Sequence, residues 1–172
     1  MYSRDTGLSF ALYAYAASLL ARAAAGARPR GMTSTEASHM VTSLLDAHGV
    51  AGGAHLFDRQ RVVGVMLGTA ELFFEYREGE GALVCGALVY RFRGEPRPGV
   101  LKEFFAAEAR GEADAGGGAL DYRPESRSLL LTRTYSEPAP GEEFAADVRR
   151  LAAASLAWGG EVLEQVAARA GE

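Results

Sequence analysis

The sequence predicts an α+β domain in which an antiparallel sheet of about five strands is flanked by helices, in the order α-α-β-β-β-α-β-β-α. The hydrophobic period is helical at both ends of the chain, short β-branched and aromatic runs fill its middle, and the links between those runs suit only antiparallel neighbours. At 172 residues, 48% apolar and 23% charged, the chain has the length and usage of one globular unit that buries its own core.

Each element has its own signal. Leu8, Leu12, Tyr15 and Leu19 recur at four, three and four, the stripe of a helix that ends near Gly26. The apolar stretch Leu8 to Ala21, with Arg4 before it and Ala21-Arg22-Ala23 after it, has some look of a signal peptide, but Asp5 cancels the positive start and Arg22 interrupts the run. At about 14 residues it is too short to cross a bilayer, so a retained amphipathic helix is expected. Residues 1–31 then form an N-terminal helix and linker, and 32–172 the α+β domain. Thr33 and Glu36 have the spacing of a capping box. Behind it Ala37, Met40, Val41, Leu44 and Leu45 follow the amphipathic rule until Gly49 stops the helix.

The period then changes. Val62 to Leu67, Glu71 to Tyr76 and Leu83 to Phe92 read as three strands of a meander, broken at Gly68 and at Gly79-Glu80-Gly81. Leu88, Tyr90 and Phe92 alternate with Val89, Arg91 and Arg93, which predicts one packed and one partly wet face. Pro96 and Pro98 end that run, and Val100, Leu101, Phe104, Phe105 and Glu108 mark a short helix that stops at Gly111. Ala119 to Tyr122 and Ser128 to Tyr135, separated by Pro124-Glu125-Ser126, read as a hairpin. After Pro138 and Pro140, a last helix carries Phe144, Val148, Leu151, Trp158, Val162 and Val166, with Gly159-Gly160 placed to kink it.

Composition excludes several functions. With a net charge of −4 and no dense basic cluster, little drives nucleic-acid binding through counterion release. Cys85 is the one cysteine, so an internal disulfide and a thiolate zinc cluster are both excluded and a reducing cytoplasm fits. No cofactor or metal is expected. His39, His48 and His55, with Asp46 and Asp58, lack the spacing that puts two ligands on one helical face. Gly79, Gly81 and Gly86 precede a strand, where a phosphate-binding loop would precede a helix. There is no G-x-S-x-G elbow, Cys85 sits within a β-branched run, and the Glu78/Glu80 and Glu142/Glu143 pairs lie at a turn and a helix start. No catalytic residue is assigned and an enzyme is not expected. More apolar stripes are present than one thin core readily buries, which points to binding another protein.

The order of elements, the Leu101 to Ala107 helix, Gly116-Gly117-Gly118-Ala119-Leu120-Asp121, Ser128-Leu129-Leu130-Leu131-Thr132-Arg133, and Phe144, Leu151, Trp158 and Leu163 together resemble the class I type III secretion chaperones of the Tir-chaperone, CesT-like family, over Thr33 to Val166. The resemblance implies a cytoplasmic homodimer that holds the N-terminal segment of a secreted effector or similar client in a non-globular state, without nucleotide, by wrapping an extended chain over apolar grooves and adding a client strand to a sheet edge. On that reading Met40, Val41, Leu44, Leu129 and Leu131 contact the client, and Leu101, Phe104 and Phe105 form the dimer interface. The chain departs from the family in its extra first helix and in Pro138-Ala139-Pro140, which stands where a Leu-Asp signal usually opens the last helix. A regulatory or adaptor module of roadblock or profilin-like type, or a toxin-immunity protein of related fold, is the alternative. Roadblock and profilin-like folds interpose a helix after the second strand, whereas here it is expected after the third.

Overall fold

The computed structural model describes residues 31–51, 56–59 and 61–170. The helix expected over Leu8 to Ala25, and His55, lie outside them.

Helix α1 spans Ser34–Ala47 and opens on the expected capping box. The Thr33 hydroxyl accepts the Glu36 N–H at 3.2 Å while the Glu36 carboxylate accepts the Thr33 N–H at 2.8 Å. Such a cap contributes about 1 kcal/mol. A one-turn helix α2, Leu56–Arg59, was not expected, because four residues are too few to show a period.

The strands are β1 (Val62–Leu67), β2 (Ala70–Arg77), β3 (Ala82–Arg91), β4 (Ala119–Arg123) and β5 (Ser128–Tyr135), with α3 (Pro98–Ala109) between β3 and β4. All neighbours are antiparallel and the order across the sheet is β1-β2-β3-β5-β4. The meander and the hairpin are therefore both present, and the helix falls after the third strand, unlike the roadblock and profilin-like order. Two residues, Gly68 and Thr69, join β1 to β2, with Gly68 at φ 61°, the left-handed value that the first position of a type II′ hairpin turn requires.

Helix α4 (Gly141–Ala157) runs into a π-helical turn (Trp158–Val162) and then α5 (Leu163–Ala170). Helices α1 and α4 cover one face of the sheet. Met40, Val41, Leu44, Phe144, Val148 and Leu151 pack there with Leu72 and Phe74 of β2, Leu83, Cys85 and Ala87 of β3, and Leu129 and Leu131 of β5. Helix α3 lies against α5 and β4.

Two local irregularities meet at one place. The β3–β5 register slips between Leu88 and Tyr90, so Val89 is an extra residue that turns inward while Tyr90 is 37% exposed. The bulge splits the expected alternation: Leu88, opposite Leu130, stays on the far face, whereas Tyr90, opposite Leu129, and Phe92, which packs against the core, share the helix side. Directly against it lies the π turn: a Cβ on Gly159 would stand 2.6 Å from the Val89 carbonyl oxygen. The Gly159-Gly160 kink is thus a widened turn that lets the helix backbone touch a bulged strand. Trp158, fully buried, donates its indole N–H to the Asp114 carbonyl at 3.0 Å. The glycine run after Asp114 answers the same crowding, since a Cβ on Gly116 (φ 64°) would meet the Arg150 carbonyl oxygen at 2.6 Å.

Candidate binding surface

Side-chain parity in the strands creates the surface. Odd-numbered Val63, Val65 and Leu67 of β1 face the helices, so Val62, Gly64 and Met66 face the other way. The pairings carry that parity across the sheet as a row Gly64, Phe73, Gly86, Thr132 and Ala119. Val84 and Leu130 belong to the same face and, although themselves largely buried, stand outside the main core cluster. Among the described residues no helical side chain lines the pocket at the centre of this face.

Its centre is a notch of about 300 Å³ whose walls include Val62, Phe73, Val84, Leu130 and Thr132, with Gly86 as its floor. The notch exists because Gly86 has no side chain; a Cβ there would touch the Leu130 methyl at 3.7 Å and Thr132 at 3.8 Å. Charges rim it in neutralised pairs. Arg91 meets Glu71 at 3.0 Å, and Arg123 bridges Asp121 at 2.6 Å and Glu75 at 3.4 Å. Such a rim carries little net field, so selectivity here rests on shape and apolar contact. Val62 and Met66 are 49% and 58% exposed, among the most exposed large apolar side chains of the described residues.

The two edges of the sheet differ. At β4 the Leu120 N–H points away from β5 and is taken by the Glu108 carboxylate of α3 at 2.7 Å. At β1 the Arg61 carbonyl accepts the Tyr76 N–H, which fixes the alternation: residues 61, 63, 65 and 67 bond to β2, and Val62, Gly64 and Met66 turn their N–H and C=O groups outward. Among the described residues β1 pairs with β2 alone.

The residues singled out in the sequence are placed elsewhere. Met40, Val41, Leu44, Leu129 and Leu131 are all buried between α1, α4 and the sheet, and of the five only Leu44 also lines a surface pocket, between α1 and α4. For the hairpin the reason is parity: Leu129 and Leu131 face the helices, and Leu130 between them faces the notch. Of the three on α3, Phe104 is core, Leu101 is half-buried and Phe105 is 40% exposed. Phe73, Val84, Gly86 and Leu130 were missed as site residues, although two glycines inside strand runs, Gly64 and Gly86, were a signal that something approaches closely.

One buried polar cluster lies on the helix side and is closed. Asp147 of α4, 2% exposed, accepts the Tyr135 hydroxyl at 3.1 Å, pairs with Arg133 at 2.8 Å and is held by Arg150. Burial pushes the Cys85 thiol up to about 12, against the opposing pull of the Arg133 charge. A thiol held neutral in this way is not a nucleophile. Among the described residues no group of three or more His, Cys, Asp or Glu side chains is placed to hold a metal ion, and no helix is long and apolar enough to cross a membrane.

No protein-family model matches the chain, and no curated protein sequence matches it. Among solved structures it is similar to a chain of the crystal structure of the ExsC-ExsE complex, with TM-score 0.59 and 9% identity over 74% of this chain and 94% of that one. It is also similar to a chain of the HopA1-SchA chaperone-effector complex (TM-score 0.48, 14% identity, 76% and 95% covered). A third is a chain of the ExoT-SpcS complex from Pseudomonas aeruginosa (TM-score 0.45, 17% identity, 70% and 92% covered). The α+β fold expected from the sequence is the fold observed, and the chain shares it with that chain of the ExsC-ExsE complex.

Proposed function

We propose that this protein is a non-enzymatic chaperone that binds an extended segment of a secreted effector or similar client polypeptide, as a homodimer in the cytoplasm. The observation that carries the reading is a sheet face whose central notch no described helix lines, apolar at its centre, that ends in an edge strand with outward backbone groups. An extended chain satisfies both at once, because its backbone bonds to the edge and its alternate side chains lie on the face. The likeness to a chain of the ExsC-ExsE complex supports the same reading. The Cys85 thiol is inert and Asp147 is fully paired, so neither of these buried groups is a poised nucleophile or base, which supports a binding role over a catalytic one. Of Leu101, Phe104 and Phe105, Phe105 is the exposed one and is the candidate for the dimer contact.

The test is co-expression with polypeptides encoded beside this one, followed by light scattering and limited proteolysis of any complex. The expected result is two copies of this chain per client, with one client segment protected from protease while the client lacks a cooperative thermal transition. A strictly monomeric protein that protects no segment of any such polypeptide would sink the proposal.

A further inference from the structure

The β1 edge has a shape as well as a hydrogen-bonding pattern. Its outward residues are Val62, Gly64 and Met66, so two exposed apolar side chains flank a position with none. A Cβ built on Gly64 would meet only the Phe73 ring, at 3.8 and 3.9 Å, and the Leu72 carbonyl oxygen at 4.0 Å. Gly64 and Phe73 are directly paired and do not exchange hydrogen bonds, the pair type in which side chains approach most closely. The ring therefore forms one wall of a gap at the edge, open toward whatever lies beyond β1. Strand β1 itself, Val-Val-Gly-Val-Met-Leu, carries no charge and no proline, the devices that usually blunt an edge, whereas the far edge is capped by Glu108.

We infer that β1 takes an extended client strand in antiparallel pairing, and that the client residue opposite Gly64 is an aromatic one that fills the gap against Phe73. The inference rests on the client-binding reading and adds to it the position and type of the selecting side chain. The occupant is an extended chain because a helix has no free backbone groups to offer three outward N–H and C=O pairs. The selecting residue is aromatic because a ring on the added strand would stack beside Phe73 over a glycine, an arrangement that compensates for the missing side chain in a strand. Aromatic pairs of this kind contribute enough to favour phenylalanine over alanine by about tenfold.

The test uses fluorescein-labelled nine-residue peptides of alternating threonine and valine whose central position is Phe, Ala or Asp, measured by anisotropy against the full chain. Two variants accompany it. Gly64→Val fills the gap and leaves the outward backbone groups in place. Met66→Pro removes one outward N–H, a group the β1–β2 ladder does not use, and circular dichroism checks that each variant folds. Expected are a preference of about tenfold for Phe over Ala, its fall below twofold in Gly64→Val, and loss of binding to every peptide in Met66→Pro. Equal affinity for Phe and Ala, or a preference that survives Gly64→Val, overturns the gap as the selecting feature while client binding stands. No peptide binding alongside a client that still co-purifies overturns the β1 edge as the docking place. A dimer of the chain that dissociates in Met66→Pro and excludes the peptides also overturns it, because the edge then belongs to a second copy. If neither peptide nor client binds, the functional reading falls with it.

Discussion

Phe73 and Phe74 are neighbours in one strand and belong to different parts of the molecule. Phe74 is fully buried under α4, with its ring 6.2 Å from that of Phe144. Phe73 faces away from every described helix, half-exposed between Gly64 and Gly86. The difference teaches how a thin sheet divides its labour: the helix side carries the stability, and the other side is free to be shaped for a partner because little of the core depends on it.

Mutations on the two sides should separate these roles. The largest effect is expected from Phe74→Ala, at about 3–5 kcal/mol in denaturant unfolding, because a ring is removed from a close-packed core. Phe73→Ala should cost about 1 kcal/mol and weaken client binding instead; equal losses at the two positions would break the comparison. Next is Asp147→Ala, expected to cost about 3 kcal/mol, since Arg133 and the Tyr135 hydroxyl would lose their buried partner. Gly159→Ala should cost about 1–3 kcal/mol, through the collision with the Val89 carbonyl. Met66→Lys on the exposed edge should change stability by no more than about 0.5 kcal/mol.

The smallest effect is a pH dependence confined to the last helix. Hydrogen bonds from Arg169, and then Arg110, hold the Glu112 carboxyl well below its usual 4.5, at about 2. A carboxyl lowered in the folded state lends its stability above its unfolded value and loses it as pH falls. The tether of α5 to the loop after α3 should therefore loosen between pH 4.5 and about 2, visible as loss of helical chemical shifts in α5 by NMR. Glu112→Gln should flatten that profile, and an unchanged profile would mean the ion pairs do not hold α5.

Much of the fold was legible because local signals agreed with one another. The capping box at Thr33 and Glu36, the helix stop at Gly49 and the proline and glycine breaks around each strand all fall where they were read. Phe144 and Trp158, read on the apolar stripe of the last helix, are core. The candidate binding surface was less legible. Met40, Val41 and Leu44 form the clearest amphipathic stripe of the chain, and that clarity marks a stripe that its own sheet covers. Leu129-Leu130-Leu131 shows no alternation at all, so its parity could not be assigned until β5 was seated between β3 and β4.

The sequence by itself determined the kinds of element, their order and most of their ends, because caps, turns and hydrophobic periods act over a few residues. Only the tertiary structure decided which face of the sheet α1 and α4 cover and which edge a side chain of α3 caps. Those depend on strand order, on the bulge at Val89 that answers the π turn at Gly159, and on Glu108 reaching Leu120, all of them contacts between residues far apart in the chain.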